Sequence, residues 1–176
     1  MMLNNIEVFY WNIQTCSRKK LEPIEQCASP ERAIGICEYR AEWPNARRLS
    51  VTFQVVTSRN NEFAWLLPKT WRLRAIEHDD EYIFGVSVEI SAGRPVTLVI
   101  VHLSCDTRVQ REQQTALSAL EFRGQWIIGG DYNNENEAED YIVAMKKYGA
   151  VRYCSSYPTH FRDQQQRETE GYQSRN

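Results

Sequence analysis

Residues 126–133 read Trp-Ile-Ile-Gly-Gly-Asp-Tyr-Asn, and this stretch decides the fold. A hydrophobic run typical of a buried strand ends at two glycines, which let the backbone turn tightly. Because residues two apart in a strand point the same way, Asp131 and Asn133 are predicted to project together beyond the strand end. A carboxylate paired with an amide can hold a water, a phosphate oxygen and a hard metal ion. The alternative is a plain turn after a buried strand.

Three further apolar segments are each interrupted or closed by a polar residue. They are residues 8–13 with Asn12, residues 33–38 ending in Glu38, and residues 96–103 with His102 near the end. A buried polar group needs a hydrogen-bonding partner, and one such interruption is usually satisfied within a core. Four strands with this feature indicate instead a shared site.

The periodicity of the whole chain predicts a mixed α and β protein. Strands are predicted at 6–13, 33–38, 49–57, 63–67, 71–77, 82–90, 95–103, 126–131 and 150–153. Helices are predicted at 17–28, interrupted by Pro23, at 106–121 and at 136–148. A turn at Gly93 is expected to join the strands at 82–90 and 95–103 into a hairpin.

The composition is that of an ordinary single globular domain. The chain has 176 residues, of which 42% are hydrophobic and 25% charged, with a net charge of −2. A pI near 6.0 is unlike that of dedicated nucleic-acid-binding domains, which commonly exceed a pI of about 9. A basic group in the middle third is either a local binding patch or a solvated loop and edge strand. It consists of Arg47, Arg48, Arg59, Lys69, Arg72 and Arg74.

The cysteines and the absence of long apolar segments predict a cytoplasmic protein. Five scattered cysteines, an odd number without the short spacings of zinc or redox sites, indicate a reducing compartment. Glu7 and Asn12 break the first strand, so that it does not resemble a signal peptide. No segment approaches the roughly 20 apolar residues of a membrane span, and no contact with a membrane is expected.

Several short motifs together resemble the metal-dependent endonuclease/exonuclease/phosphatase superfamily. This group includes pancreatic-type deoxyribonucleases, abasic-site endonucleases, sphingomyelinases and inositol phosphatases. The motifs follow the family's order: Trp11-Asn12-Ile13, Ile36-Cys37-Glu38, Val101-His102-Leu103, Gly129-Gly130-Asp131-Tyr132-Asn133 and Tyr157-Pro158-Thr159-His160. The resemblance implies an α/β fold, a four-layered sandwich of two mixed β-sheets flanked by helices. It places this domain at residues 1–161 and leaves a polar tail at 162–176.

The resemblance also implies a divalent-metal site at the strand ends. Glu38 would bind the cation, with Asn12 as its neighbour and second candidate ligand. These hard oxygen donors favour Mg²⁺ or Mn²⁺ over zinc.

The same resemblance assigns catalytic roles to the other strand-end residues. Asp131 would orient or deprotonate the attacking water, and Asn133 would hydrogen-bond the phosphate. His102 would donate to the phosphate or protonate the leaving oxygen. Thr159 and His160 are candidate phosphate contacts, with a simple strand terminus as the alternative.

The sequence departs from the family pattern after Asn133. Members of the family normally end with a strand followed by an Asp-His pair, and no such pair follows Asn133 here. The tail from Arg162 has only Tyr172 as a sizeable hydrophobe, too little for a core strand. The resemblance therefore implies an incomplete catalytic set, in a truncated or a catalytically impaired relative.

Three functions are consistent with these residues. The first is a Mg²⁺- or Mn²⁺-dependent phosphodiester hydrolase, a nuclease with DNA or RNA as substrate. The second is an impaired relative that keeps the fold and binds nucleic acid or a protein partner. The third is a phosphatase or lipid phosphodiesterase of the same superfamily. Retention of polar groups at four strand ends favours the enzyme, because a core freed from catalysis would gain from apolar replacements.

Overall fold

Two four-stranded β-sheets form the centre of the protein in the computed structural model, which describes residues 6–90, 95–120 and 124–133. The elements in chain order are β1 (Glu7–Asn12), α1 (Arg18–Gln26), β2 (Arg32–Cys37), α2 (Trp43–Thr52), β3 (Gln54–Thr57), β4 (Phe63–Leu67), β5 (Arg72–Asp79), β6 (Ile83–Glu89), β7 (Val96–His102), α3 (Thr107–Ala119) and β8 (Gln125–Asp131). The strand orders are β1-β2-β4-β3 and β5-β6-β7-β8.

Each sheet combines one parallel pair with antiparallel neighbours. The parallel pairs are β1 with β2 and β7 with β8, and each is connected through a helix, α1 or α3. The remaining neighbours, including the predicted β6–β7 hairpin partners, are antiparallel. The expectation of two mixed sheets is therefore confirmed.

Three clusters of buried side chains lie between the layers of the fold. Trp65 and Leu67 of β4 pack with Phe84 of β6 and Leu98 of β7 in the core between the two sheets. On the outer side of the first sheet, the buried side chains that pack together come from α1, α2, β2 and β4: Leu21, Ile24, Ile34, Ile36, Leu49, Ala64 and Leu66. On the outer side of the second sheet, Leu117 of α3 packs with Val99 of β7. Helices thus flank both sheets, as a four-layered sandwich requires, although they are few.

The predicted strand at 49–57 was wrong in its first half. Trp43–Thr52 forms helix α2, with Pro44 in its first turn, and only Gln54–Thr57 is a strand. Proline is tolerated in the first turn because the amide hydrogen it lacks has no helical partner there. Leu49 and Phe53, four residues apart, are both buried, so helical spacing rather than strand alternation describes this segment.

The predicted interruption at Pro23 is also absent. Helix α1 runs continuously from Arg18 to Gln26 with Pro23 inside it. Leu21 and Ile24 are fully buried under this helix, and their packing outweighs the hydrogen bond that the proline removes. The predicted elements at 136–148 and 150–153 and the tail at 162–176 lie outside the described residues. None of the helices within the described ranges is long and apolar enough to span a membrane.

Candidate active site

The polar residues singled out in the sequence lie at the carboxyl ends of the two parallel strand pairs. Asn12 is the last residue of β1 and pairs in register with Cys37, directly before Glu38. His102 and Asp131 close β7 and β8 and lie opposite each other in register. Parallel strands end at the same edge of a sheet, so each pair brings two polar residues together.

Two glycines of β8 allow close packing, one within the β7–β8 pair and one between the two sheets. Gly130 has a φ of +140°, and a Cβ atom there would overlap the carbonyl oxygen of Val101. A Cβ atom at Gly129 would overlap the ring of Tyr10 on β1. The Tyr10 hydroxyl donates to the carbonyl oxygen of Ile127 at 3.3 Å and so links the sheets. Gly130 therefore lets β8 approach β7, and Gly129 makes possible the close packing of β8 on β1 that joins the two halves of the site.

Asn12 is the centre of the cluster. Its amide nitrogen donates to Glu38 Oε1 at 2.8 Å and to Asp131 Oδ2 at 2.9 Å. Its amide oxygen accepts from the backbone amide of Gln14 at 3.2 Å. The residue is only 8% exposed. Both amide hydrogens are engaged, and Asn12 thus clamps two carboxylates from different sheets.

Glu38 leaves β2 in the left-handed backbone conformation, with a φ of +52°. Its Oε1 lies 3.8 Å from His102 Nε2, and its Oε2 lies 3.7 Å from a terminal nitrogen of Arg40. For a residue with a side chain this conformation costs about 1–2 kcal/mol. Such backbone conformations are frequent at functional sites, where the packing and hydrogen bonds of the surrounding structure hold them in place. Here they follow the ends of β1, β2 and β8, in Gln14, Thr15, Glu38, Arg40 and Asn133.

The turn after β8 fixes Asp131 and Asn133. The backbone amide of Asn133 donates to Asp131 Oδ1 at 3.1 Å, an Asx-type turn. The Asn133 side-chain nitrogen donates to the carbonyl oxygen of Leu103 at 2.7 Å. Buried Gln110 of α3 supports this turn by donating to the Tyr132 carbonyl oxygen at 2.8 Å. The strand ends at Asp131, so a turn, rather than strand alternation, links the two residues.

Burial keeps a neighbouring thiol out of the chemistry. Cys37 pairs in register with Asn12 and directly precedes Glu38, and its Sγ donates to the Val101 carbonyl oxygen at 3.5 Å. Burial, reinforced by the nearby carboxylates of Asp131 and Glu38 and opposed by a backbone hydrogen bond, raises the pKa of this thiol to about 12. The protonated thiol is a poor nucleophile and adds no negative charge to the cluster.

The structure thus brings Asn12, Glu38, His102, Asp131 and Asn133 into one contiguous cluster, although the chain separates Asn12 from Asp131 by 119 positions. Thr159 and His160 lie outside the described residues. Sequence reasoning missed Arg40, beside Glu38, and the supporting role of Gln110. Arg40 follows Glu38 by two residues, but the left-handed turn at Glu38 breaks the alternation that would have pointed to it.

Solved structures of other proteins have a similar architecture. The chain superposes on truncated Caenorhabditis elegans TDP2 with a TM-score of 0.54 and 17% identity, over 86% of this chain and 66% of that one. The endonuclease domain of TRAS1, a telomere-specific non-LTR retrotransposon, gives a TM-score of 0.64 and 14% identity over 87% and 77%. The chain has an endonuclease/exonuclease/phosphatase-like fold.

These likenesses rest on structure, since the sequence matches no protein-family model and no curated protein. A second C. elegans TDP2 structure gives a TM-score of 0.54 at 13% identity, and the chain spans only 50% of its length. The endonuclease/exonuclease/phosphatase-like fold therefore agrees with the resemblance in the motifs.

The side chains at this edge carry the type of oxygen ligand that a hard divalent cation prefers. Glu38 and Asp131 supply carboxylate oxygens within reach of the same Asn12 amide. Among the described residues, no three histidine, cysteine or acidic side chains lie close enough together to bind one metal ion. Mg²⁺ needs no such group, because it usually binds through one or two carboxylates and keeps several waters. A ligand role for Asn12 would require its oxygen, which here faces Gln14, to turn toward the carboxylates.

Proposed function

We propose that this protein is a divalent-cation-dependent phosphodiester hydrolase acting on nucleic acid, with Mg²⁺ or Mn²⁺ as the cation. The observation that carries the proposal is the Asn12 clamp, which holds Glu38 and Asp131 together at the meeting ends of two sheets. Two unrelated strand ends have no structural need for facing carboxylates, and replacing a buried polar cluster by apolar groups is often stabilising. The endonuclease domain of TRAS1, with the same fold, supports a nuclease function.

Asp131 is the residue proposed to orient and deprotonate the attacking water. Each of its oxygens accepts one hydrogen bond, from Asn12 and from the Asn133 backbone, and this fixes the carboxylate plane. Each oxygen keeps acceptor capacity for a water molecule. Fixed orientation matters because proton transfer by a positioned group commonly contributes about 10²–10⁴-fold to the rate.

Asn133 and His102 are the residues proposed to contact the phosphate. Asn133 uses one amide hydrogen on the Leu103 carbonyl oxygen and keeps the other for a phosphate oxygen. The His102 ring lies 3.8 Å from Glu38, too far for a hydrogen bond, and is partly exposed. It is therefore free to donate to a phosphate or leaving oxygen. A cation held by Glu38 would supply Lewis-acid stabilisation of developing negative charge.

Cleavage by these 176 residues alone is expected to be slow. An Asp-His pair after Asn133, expected from the family resemblance, is missing from the sequence. Loss of a positioned acid–base group lowers rates by about 10²–10⁴-fold. Nucleic-acid binding without turnover is the second candidate function, and the same missing pair favours it.

A cleavage assay on the full 176-residue chain tests the proposal. Single- and double-stranded DNA and RNA are incubated with Mg²⁺, with Mn²⁺ or with a chelator. We expect slow cleavage that requires the metal and is abolished by Asp131→Ala. The matched control is Asp79→Ala at the end of β5, which removes a carboxylate paired with Arg59 and leaves the clamp intact.

Three results would overturn the proposal. Cleavage no greater than the Asp131→Ala background on every substrate excludes a nuclease. Binding of these substrates without turnover would establish the second function. Equal losses for Asp131→Ala and Asp79→Ala would mean that activity reflects overall stability rather than the clamp.

We also propose that the protein works in a reducing, cytoplasmic compartment. Within the described residues Cys16, Cys27, Cys37 and Cys105 are all free thiols, which supports this setting.

A further inference from the structure

Helix α2 carries an exposed stripe that the folded core does not use. Trp43 and Val51 are each 74% exposed, and Arg47 between them is also exposed. The spacing of four residues places all three side chains on one face of the helix. A single exposed hydrophobe needs no explanation, but an indole, a guanidinium and an aliphatic group in one row form a surface. The row is about 12 Å long at 1.5 Å per residue.

This stripe begins five residues along the chain from Glu38 of the candidate active site. Trp43 follows Glu38 by five residues, which limits the distance between their Cα atoms to about 18 Å. The Asn45 side chain donates to the Cys16 carbonyl oxygen at 2.7 Å and ties the start of α2 to the loop that follows β1 and Asn12. The start of α2 is therefore anchored to both loops that leave the clamp.

The charges along the stripe suit a polyanion. Arg48 is engaged by Glu25 of α1, whereas Arg47 has no acidic partner within the part of the chain that the structure describes. Lys69 lies at the far end, where its ammonium donates to the Val51 carbonyl oxygen at 2.6 Å. Glu42, which precedes Trp43, is the opposing charge.

We propose that the α2 stripe, defined as Trp43, Arg47 and Val51, binds a single-stranded segment of nucleic acid next to the active site. This inference rests on the proposed function and names how its substrate is held. A base stacks on the indole of Trp43, and Arg47 contacts the backbone phosphates. Stacking on an aromatic side chain requires a base face that stacking within a duplex keeps buried, so the stripe selects single strands.

The size of the stripe agrees with this occupant. A strand stacked as in a duplex advances about 3.4 Å per nucleotide, so that the row accommodates about three or four nucleotides. The limit of about 18 Å to Glu38 corresponds to about five nucleotides. Five further nucleotides are therefore enough for a strand on the stripe to span the distance from Trp43 to Glu38.

Fluorescence anisotropy with a labelled 12-nucleotide oligo-dT tests this inference on the full chain. A chelator is present throughout, so that binding is measured independently of cleavage. Trp43→Ala is expected to weaken binding at least about fivefold, because base–aromatic stacking accounts for roughly 5–150-fold per base. Trp43→Phe, which keeps an aromatic face, is expected to remain within about threefold of the parent. Exposure of Trp43 predicts unchanged melting temperatures for both variants.

Arg47→Ala is expected to lower the slope of log affinity against log salt by about 0.7, the value for one phosphate contact on a single strand. Arg108→Ala, an exposed arginine on α3, is the matched control and should leave the slope unchanged. A 12-base-pair duplex with the same label separates stacking from charge. Trp43→Ala should leave its binding unaltered, whereas Arg47→Ala should weaken it.

The inference is overturned if Trp43→Ala binds oligo-dT as tightly as the parent, or if Trp43→Phe loses as much as Trp43→Ala. A change in sedimentation from dimer to monomer in Trp43→Ala, with unchanged oligo-dT affinity, would assign the stripe to a second copy of this chain. Failure of the proposed function gives a different pattern. In that case no variant cleaves, while the anisotropy differences between Trp43→Ala and Trp43→Phe persist.

Discussion

The two strand–helix–strand units that build the site differ in how firmly they hold it. The first, β1-α1-β2, ends in Asn12 and Glu38, and the second, β7-α3-β8, ends in His102 and Asp131. Both place their polar residues at the carboxyl ends of parallel strands, where ligand sites of open α/β sheets usually lie. The antiparallel strands beside them contribute none of the clustered residues.

Burial separates the two units. Two helices cover the first sheet, and their buried cluster extends to Cys16 in the loop after β1. Only α3 covers the second sheet within the described residues, and the corresponding loop leaves Cys105 exposed. The first unit therefore supplies a rigid clamp, whereas the second presents Asp131 where water reaches it. An active site needs both a fixed arrangement of side chains and access to water. Substitutions in the two units can therefore test these properties separately.

The largest effect on stability is expected for Gly130→Ala in the second unit. Its φ of +140° strains any side chain, and the added carbon meets the Val101 backbone. Together these cost about 2–5 kcal/mol of unfolding free energy. Gly124→Ala is the matched control, with a φ of +79° but open space around it, and should cost only about 1 kcal/mol. Urea denaturation measures both, and equal losses would show that β8 does not depend on this close approach.

A smaller loss is expected for Asn12→Ala in the first unit. Removing the amide leaves Glu38 and Asp131 without their common donor, which costs about 1–3 kcal/mol. Asn45→Ala, which removes one amide-to-carbonyl bond, should cost about 1 kcal/mol. Asn12→Asp distinguishes charge from shape. It should be less stable than Asn12→Ala in a chelator and regain stability in Mg²⁺, and no response to Mg²⁺ would contradict a cation at the clamp.

The clamp shows what the sequence could and could not predict. Apolar runs ending in Asn12, Glu38, His102 and Asp131 identified the strands, because hydrophobic periodicity is a local property. Their gathering at one edge was implied by the family resemblance, since strand pairing is not local. Helix α2 was mistaken for a strand because Leu49 to Thr57 is short, apolar in part and rich in β-branched residues. The contact of Arg40 with Glu38 could not be predicted from the sequence either. A left-handed turn, rather than strand alternation, sets the direction of the Arg40 side chain.

The third prediction concerns the cation. Glu38→Gln keeps the shape of the side chain but removes the charge proposed to bind Mg²⁺. The parent should gain about 1.4 kcal/mol of stability at a Mg²⁺ concentration tenfold above its Kd, and Glu38→Gln should gain almost nothing. Glu62→Gln is the control, because Glu62 binds Arg40 beside the site without reaching the clamp. Calorimetric titration measures the affinity directly, and equal affinity in parent and Glu38→Gln would remove Glu38 as a ligand.

The smallest effect compares the two loop cysteines. Burial, partly offset by Lys20, raises the pKa of Cys16 from its ordinary value near 9 to about 11, whereas Cys105 is exposed. As pH rises above 9 the unfolded chain loses this proton before the folded chain does, so stability contributed by the buried thiol is complete below pH 9 and is lost toward pH 11. Between pH 8 and 10 the parent should lose about 1 kcal/mol on this account. Cys16→Ala should flatten the decline and Cys105→Ala should not. Parallel curves for both variants would mean that the loop of the first unit is as open to water as that of the second.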